Sequence, residues 1–151
     1  MKYLTQEGFD KLISELEERK MHIRQQIAKA IKEAKEQGDL SENAEYSEAK
    51  RQQGENESRI MQLENLIRTS KVMKRDARSD KVQLGSTIDV EFGGKKMTFT
   101  LVGSNEADPV NGKISNESPM GRAFMGQKQG AEVSVELPNK KVVSYKILEI
   151  R

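Results

Sequence analysis

Gly38-Asp39-Leu40-Ser41-Glu42-Asn43-Ala44-Glu45-Tyr46 separates two long runs of helix-forming, heptad-spaced sequence and sets how they pair. Gly38 stands where the end of a helix wants a left-handed residue. Asp39 or Ser41 stands where the next helix wants an N-cap. The segment is therefore the tip of a helical hairpin. Acids recur around it every third residue, at Glu33, Glu36, Asp39, Glu42, Glu45 and Glu48, and no Lys or Arg falls between Lys35 and Lys50. A tip that is solely acidic needs a cation.

On the N-terminal side, positions spaced alternately by four and three residues run Phe9, Ile13, Leu16, Lys20, Ile23, Ile27, Ala30, Ala34, Gln37. Seven of these nine are apolar, which marks a helix holding one narrow seam against a partner. The series Tyr46, Ala49, Gln53, Asn56, Ile60, Leu63, Ile67 resumes the spacing on the other side, and a connection of a few residues forces antiparallel pairing. The large aliphatics lie toward the base, and Ala30, Ala34, Ala44 and Ala49 thin the distal end. A first helix of about 29 residues at 1.5 Å each makes an arm on the order of 40 Å long. Lys20, Gln53, Asn56 and Gly54 are its weak points, since polar seam residues and a mid-helix glycine cost stability. The competing reading of such heptads is an intermolecular coiled coil, against which the Gly38 break argues. A hairpin that satisfies its own seam is expected to be monomeric.

The 151 residues carry a net charge of +2, too small for wholesale phosphate binding, so contact with nucleic acid must be local or handed to a partner. There is no cysteine and a single histidine, His22, which excludes disulfides, thiolate metal sites and His clusters. No apolar run approaches the roughly 18 residues of a spanning helix, and no signal-peptide segment precedes the helical pattern, so a cytoplasmic protein is expected.

After Arg75 the heptads stop. Residues 76–80 read as a linker between a hairpin arm at 1–75 and a globular domain at 81–151. Thr87–Phe92 alternates with period two, Gly93-Gly94 turns the chain, and 96–102 alternates back. Residues 132–137 and 142–150 form a second such pair around a Pro138-Asn139 turn, with a short helix expected between Ser118 and Gly126. The fold class is α+β, an antiparallel helical hairpin followed by a small strand-rich domain.

Asp39 and Glu42 lie three residues apart at the start of the second helix, a spacing that permits joint contact with a metal. The same spacing is close to a capping box, which would use both side chains on free amides. Glu45 and Glu48 exceed what capping requires, because like charges within four residues repel. Two carboxylates alone make an incomplete site for a hard cation, which usually takes one or two carboxylates and fills the rest with water and phosphate oxygens. The hairpin should act only where another macromolecule supplies the remainder.

The chain resembles the bacterial transcript cleavage factors of the GreA/GreB family along essentially its whole length. The resemblance is carried by Leu4-Thr5-Gln6-Glu7-Gly8, by Gly38 to Tyr46, and by Ile114-Ser115-Asn116-Glu117-Ser118-Pro119-Met120-Gly121-Arg122-Ala123. It implies an arm that enters the secondary channel of RNA polymerase, where Asp39 and Glu42 share the loosely held Mg²⁺ of the polymerase active site and backtracked RNA is cut. No metal is expected to stay on the free protein. Asn43 and Tyr46 would shape the tip, and Lys50 and Arg51 would contact the extruded RNA 3′ segment, although as a pair they also read as ordinary solvated helix charge. The second half would be an FKBP-like domain that docks on the polymerase through Glu117, Ser118 and Pro119, with Ser118 as N-cap and Pro119 at the first helical position as the plainer role. Acids and bases alternate from Glu55 onward, which is more GreA-like. The family commonly has an apolar residue near Arg19 and a proline near Gln25, so the middle of this arm departs from the pattern. Two other functions fit fewer features: occlusion of the channel without cleavage, and prolyl isomerisation, for which the domain offers only Phe92, Phe99, Phe124 and Tyr145 as aromatics.

Overall fold

A computed structural model describes residues 2–39 and 43–151 of the chain. Contacts divide it into two compact units, Met1–Phe9 with Ser70–Arg151, and Asp10–Thr69. The division therefore falls at 9/10 and 69/70, whereas the sequence pattern changes near residue 75. The cause is a short parallel ladder in which β1 (Lys2–Leu4) pairs with β2 (Ser70–Val72), Leu4 opposite Val72, with Leu4 fully buried.

Helix α1 (Gln6–Glu18) passes through one π turn (Arg19–Ile23) into α2 (Arg24–Glu36), and α3 (Ala44–Thr69) returns antiparallel. Ile27, Ala34, Ala49, Ile60 and Leu63 are buried along the seam as the heptads require. Each large aliphatic contributes on the order of 1.5–3 kcal/mol by leaving water. Ala30, expected in the seam, is exposed, and Ile31 is half-buried instead. A helix of 3.6 residues per turn drifts about 20° per heptad off a strict repeat, which is enough to exchange neighbours near the tip.

In the other unit β3 (Thr87–Phe92) and β4 (Lys95–Val102) form the expected hairpin around Gly93 and Gly94, whose φ values of 57° and 79° only glycine adopts readily. β5 (Lys113–Ser115) joins β4 in parallel, α4 (Pro119–Phe124) follows, and β6 (Glu132–Glu136) and β7 (Val142–Ile150) make the second hairpin. The five-stranded order is β5-β4-β3-β7-β6, a curved half-barrel in which the β3–β7 register shifts between Asp89 and Val90, β7 carrying the extra residue Leu148. Alternate residues Ile88, Val90, Val133, Val135, Tyr145 and Ile147 fill one face, and Phe124 of α4 closes it. The Phe124 ring meets Tyr145 edge-on at 5.6 Å and Phe99 at 6.3 Å, so these three aromatics serve the core.

Candidate functional site at the hairpin tip

The tip is built from the ends of α2 and α3. Gln37 closes α2 with its N–H on the Ala34 carbonyl at 3.2 Å, and Gly38 turns the chain with φ +116°. The next helix starts at Ala44, and its N-cap is Asn43 rather than Asp39. Asn43 Oδ1 accepts the Tyr46 N–H at 3.0 Å, while its Nδ2 donates to the Ala34 carbonyl at 2.7 Å. One amide thus satisfies an orphan donor of α3 and adds a second donor to a last-turn carbonyl of α2, fastening both ends together. Leu40, Ser41 and Glu42 lie outside the described residues. Asp39 is exposed in the turn. Because Asn43 supplies the cap, the Tyr46 amide needs no carboxylate. Asp39 belongs to the hard oxygen donors that Mg²⁺ prefers.

Charge around the tip is partly internally compensated. Arg51 reaches back to Glu48 with Nη2 at 2.6 Å and Nε at 2.9 Å, and forward to Glu55 with Nη1. These bonds from Arg51, helped by Gln52, hold the Glu48 carboxyl down at about 2 and push the guanidinium upward. Glu48 therefore stays anionic through any physiological pH. Lys50, by contrast, donates to the neutral amide of Gln53 at 2.8 Å. Of the two basic residues, Lys50 is bonded to a neutral group and Arg51 to two carboxylates. Tyr46 is half-buried beside them. Among the described residues, no three His, Cys, Asp or Glu side chains converge.

In the strand-rich unit, Ser118 caps α4. Its Oγ accepts the Gly121 N–H at 3.0 Å and donates to the Ser115 carbonyl at 2.6 Å, with Pro119 at the first helical position. Glu117 is exposed, its N–H on Ser115 Oγ at 3.0 Å. Gly121 is buried so closely on the Ser115 carbonyl that a Cβ would collide with it. A largely apolar cleft of about 260 Å³, lined by Tyr3, Met73, Leu84, Asn116 and Met125, runs up to the C-cap of this helix.

Two polar constellations were not visible in the sequence. Glu106 accepts the Thr5 N–H at 3.0 Å and the Thr5 hydroxyl, while Thr5 Oγ1 accepts the Gly8 N–H at 3.0 Å as the cap of α1. A Cβ on Gly8 would collide with the Glu106 carboxylate, which explains both the threonine and the glycine of Leu4-Thr5-Gln6-Glu7-Gly8. A glycine in the first turn of an otherwise strong helix is the one signal that pointed there. The second constellation crosses the arm, where Glu15 takes Arg19 Nε at 2.7 Å and Arg59 Nη2 at 2.8 Å, and Arg19 in turn donates to Asn56. The Arg59 bond first, with Arg19 assisting against burial, holds Glu15 down at about 2.

Residues 2–72 match the family described as "Transcription elongation factor, N-terminal", and residues 77–151 match "Transcription elongation factor, GreA/GreB, C-term". The chain is 48% identical over 151 residues to transcription elongation factor GreA of Caldanaerobacter subterraneus subsp. tengcongensis, covering 98% of this chain and 96% of that one. It is 47% identical over 152 residues to that of Clostridioides difficile, covering 98% and 94%. Among solved structures, GreA factor homolog 1 of Thermus thermophilus shares 25% identity at a TM-score of 0.43, over 99% of this chain and 97% of its own. No helix among the described residues is long and apolar enough to cross a membrane.

Proposed function

The chain belongs to the GreA/GreB family of transcription elongation factors, and from that premise we propose that it binds RNA polymerase, inserts its arm into the secondary channel and stimulates endonucleolytic cleavage of backtracked nascent RNA. The observation that carries this reading is the Asn43 clasp, which ties the end of α2 to the start of α3 and so closes the hairpin tip at the acidic stretch.

Magnesium at the polymerase active site would supply charge neutralisation at the scissile phosphate and an acidified water. Asp39 and Glu42 would hold it and orient the attacking water, while Asn43 and Tyr46 keep the turn in shape. Lys50 would draw the RNA 3′ segment toward the tip. Arg51 would join it by exchanging Glu48 or Glu55 for a phosphate, an exchange of low cost because exposed ion pairs are worth about 0–1 kcal/mol. Ser118, Pro119 and Glu117 would dock on the polymerase, the apolar cleft below them adding area. The protein would work as a cytoplasmic monomer, activating hydrolysis by the polymerase and catalysing none alone.

The test is RNA length in stalled elongation complexes. Shortened transcripts that require Mg²⁺, and that Asp39→Ala or Glu42→Ala abolishes while polymerase binding is kept, support the proposal. Transcripts of unchanged length that extend slowly would instead identify a factor that blocks nucleotide access.

A further inference from the structure

We propose that Arg19 and Asn56 are positioning residues: together they lock one register between the two halves of the arm at the π turn, and thereby set the rotation at which the tip presents its acids. This rests on the reading of the tip as a carboxylate donor.

Asn56 occupies a seam position where the heptad calls for an apolar residue, and it is only 3% exposed. Both ends of its amide meet the same residue across the arm. Oδ1 accepts from Arg19 Nη1 at 3.0 Å, and Nδ2 donates to the Arg19 main-chain carbonyl at 3.3 Å. The helical partner of that carbonyl is displaced, since it takes the Arg24 N–H five residues on. Glu15 holds Arg19 from its other side. The seam is short of apolar side chains at this level, where Ile27 is buried but Lys20, Gln53 and Asn56 itself are polar. Apolar contacts therefore discriminate weakly between registers here, and the hydrogen bonds decide, as a single buried Asn does in coiled coils. The π turn raises the stakes. Each residue taken up or released by it moves the distal part of the first helix by about 100° and 1.5 Å.

Because the chain has no cysteine, register can be read by engineered disulfides. Ala30, Glu45, Ala49 and Gln52 line one cleft of the arm, so full-length proteins carrying Ala30→Cys with Glu45→Cys, Ala49→Cys or Gln52→Cys are oxidised and their cross-linking yields ranked. Asn56→Leu should change the ratio between the best and next pair at least threefold, and lower transcript cleavage at saturating protein at least tenfold, with polymerase binding by competition within twofold. Arg19→Lys, which keeps a donor for Oδ1, should retain the parental ranking. Should Asn56→Leu alone fold poorly, Arg19→Leu/Asn56→Leu offers an apolar seam and is read in the same way. An unchanged ranking overturns the register lock, and a changed ranking with undiminished cleavage overturns the positioning role. If the unsubstituted protein stimulates no cleavage, the proposed function fails while the cross-linking still decides the register.

Discussion

Replacing Asn43 by alanine should loosen the tip without unfolding the arm. The side chain makes two bonds, one as N-cap to the Tyr46 N–H and one to the last-turn carbonyl of Ala34. Loss of a cap costs about 1 kcal/mol, and loss of the second bond about another 1 kcal/mol. At 1.4 kcal/mol per tenfold, a total of about 2 kcal/mol is a roughly 30-fold rise in local opening. Hydrogen exchange resolved to single amides measures this directly. Protection at Tyr46 should fall roughly 30-fold in Asn43→Ala while that of Ile60 and Leu63 is unchanged. Asn43→Ser restores the cap acceptor but cannot reach Ala34, and should recover about half of the free energy. If Asn43→Ala leaves the Tyr46 amide as protected as before, or serine is no better than alanine, the double clasp is wrong.

Two further outcomes follow from packing and charge. Gly8→Ala drives a methyl group into the Glu106 carboxylate and should destabilise by about 1–3 kcal/mol, seen as a lower midpoint in urea; Glu106→Ala in the same chain should relieve most of the added loss. Glu15, lowered from 4.5 to about 2 when folded, contributes stability that is complete above pH 4.5 and is lost as pH falls from there through about 2. With its side chain 32% exposed, that contribution is about 1 kcal/mol after solvent screening. Carboxyl NMR titration and acid unfolding of Glu15→Gln, which should lack this pH-dependent part, check it.

What the sequence shows and what it hides divide by range. Ile27, Ala34, Ile60 and Leu63 announce the seam because helical periodicity is local, and Thr87–Phe92 announces its hairpin because period two and Gly93-Gly94 are local too. Asn56 reads as a weak point along the chain, yet in the fold it is fully engaged by a residue 37 positions away. Thr5 and Glu106 are 101 positions apart, and no local pattern could have joined them. β1, β2 and β5 have three residues each, too few for alternation to register. At the tip, Asp39, Ser41 and Asn43 are all competent caps by residue type, and only the start of α3 at Ala44 selects among them.

The parallel pairing of β1 with β2 makes residues 5–69, the arm at 10–69 among them, a crossover between two strands of the strand-rich unit. Parallel neighbours always require such a detour. A flexible detour of that length would make the ladder slow to close, since chain entropy must be lost before the contact is made. A zipped hairpin removes most of that loss by returning the chain to its starting point, so Leu4 and Val72 meet at little further entropic cost. The arm, made first on the ribosome, thus serves as a folding jig for the unit that encloses it in sequence. Shortening both arm helices by matched heptads should leave this assembly intact, whereas trimming only one would misplace a strand.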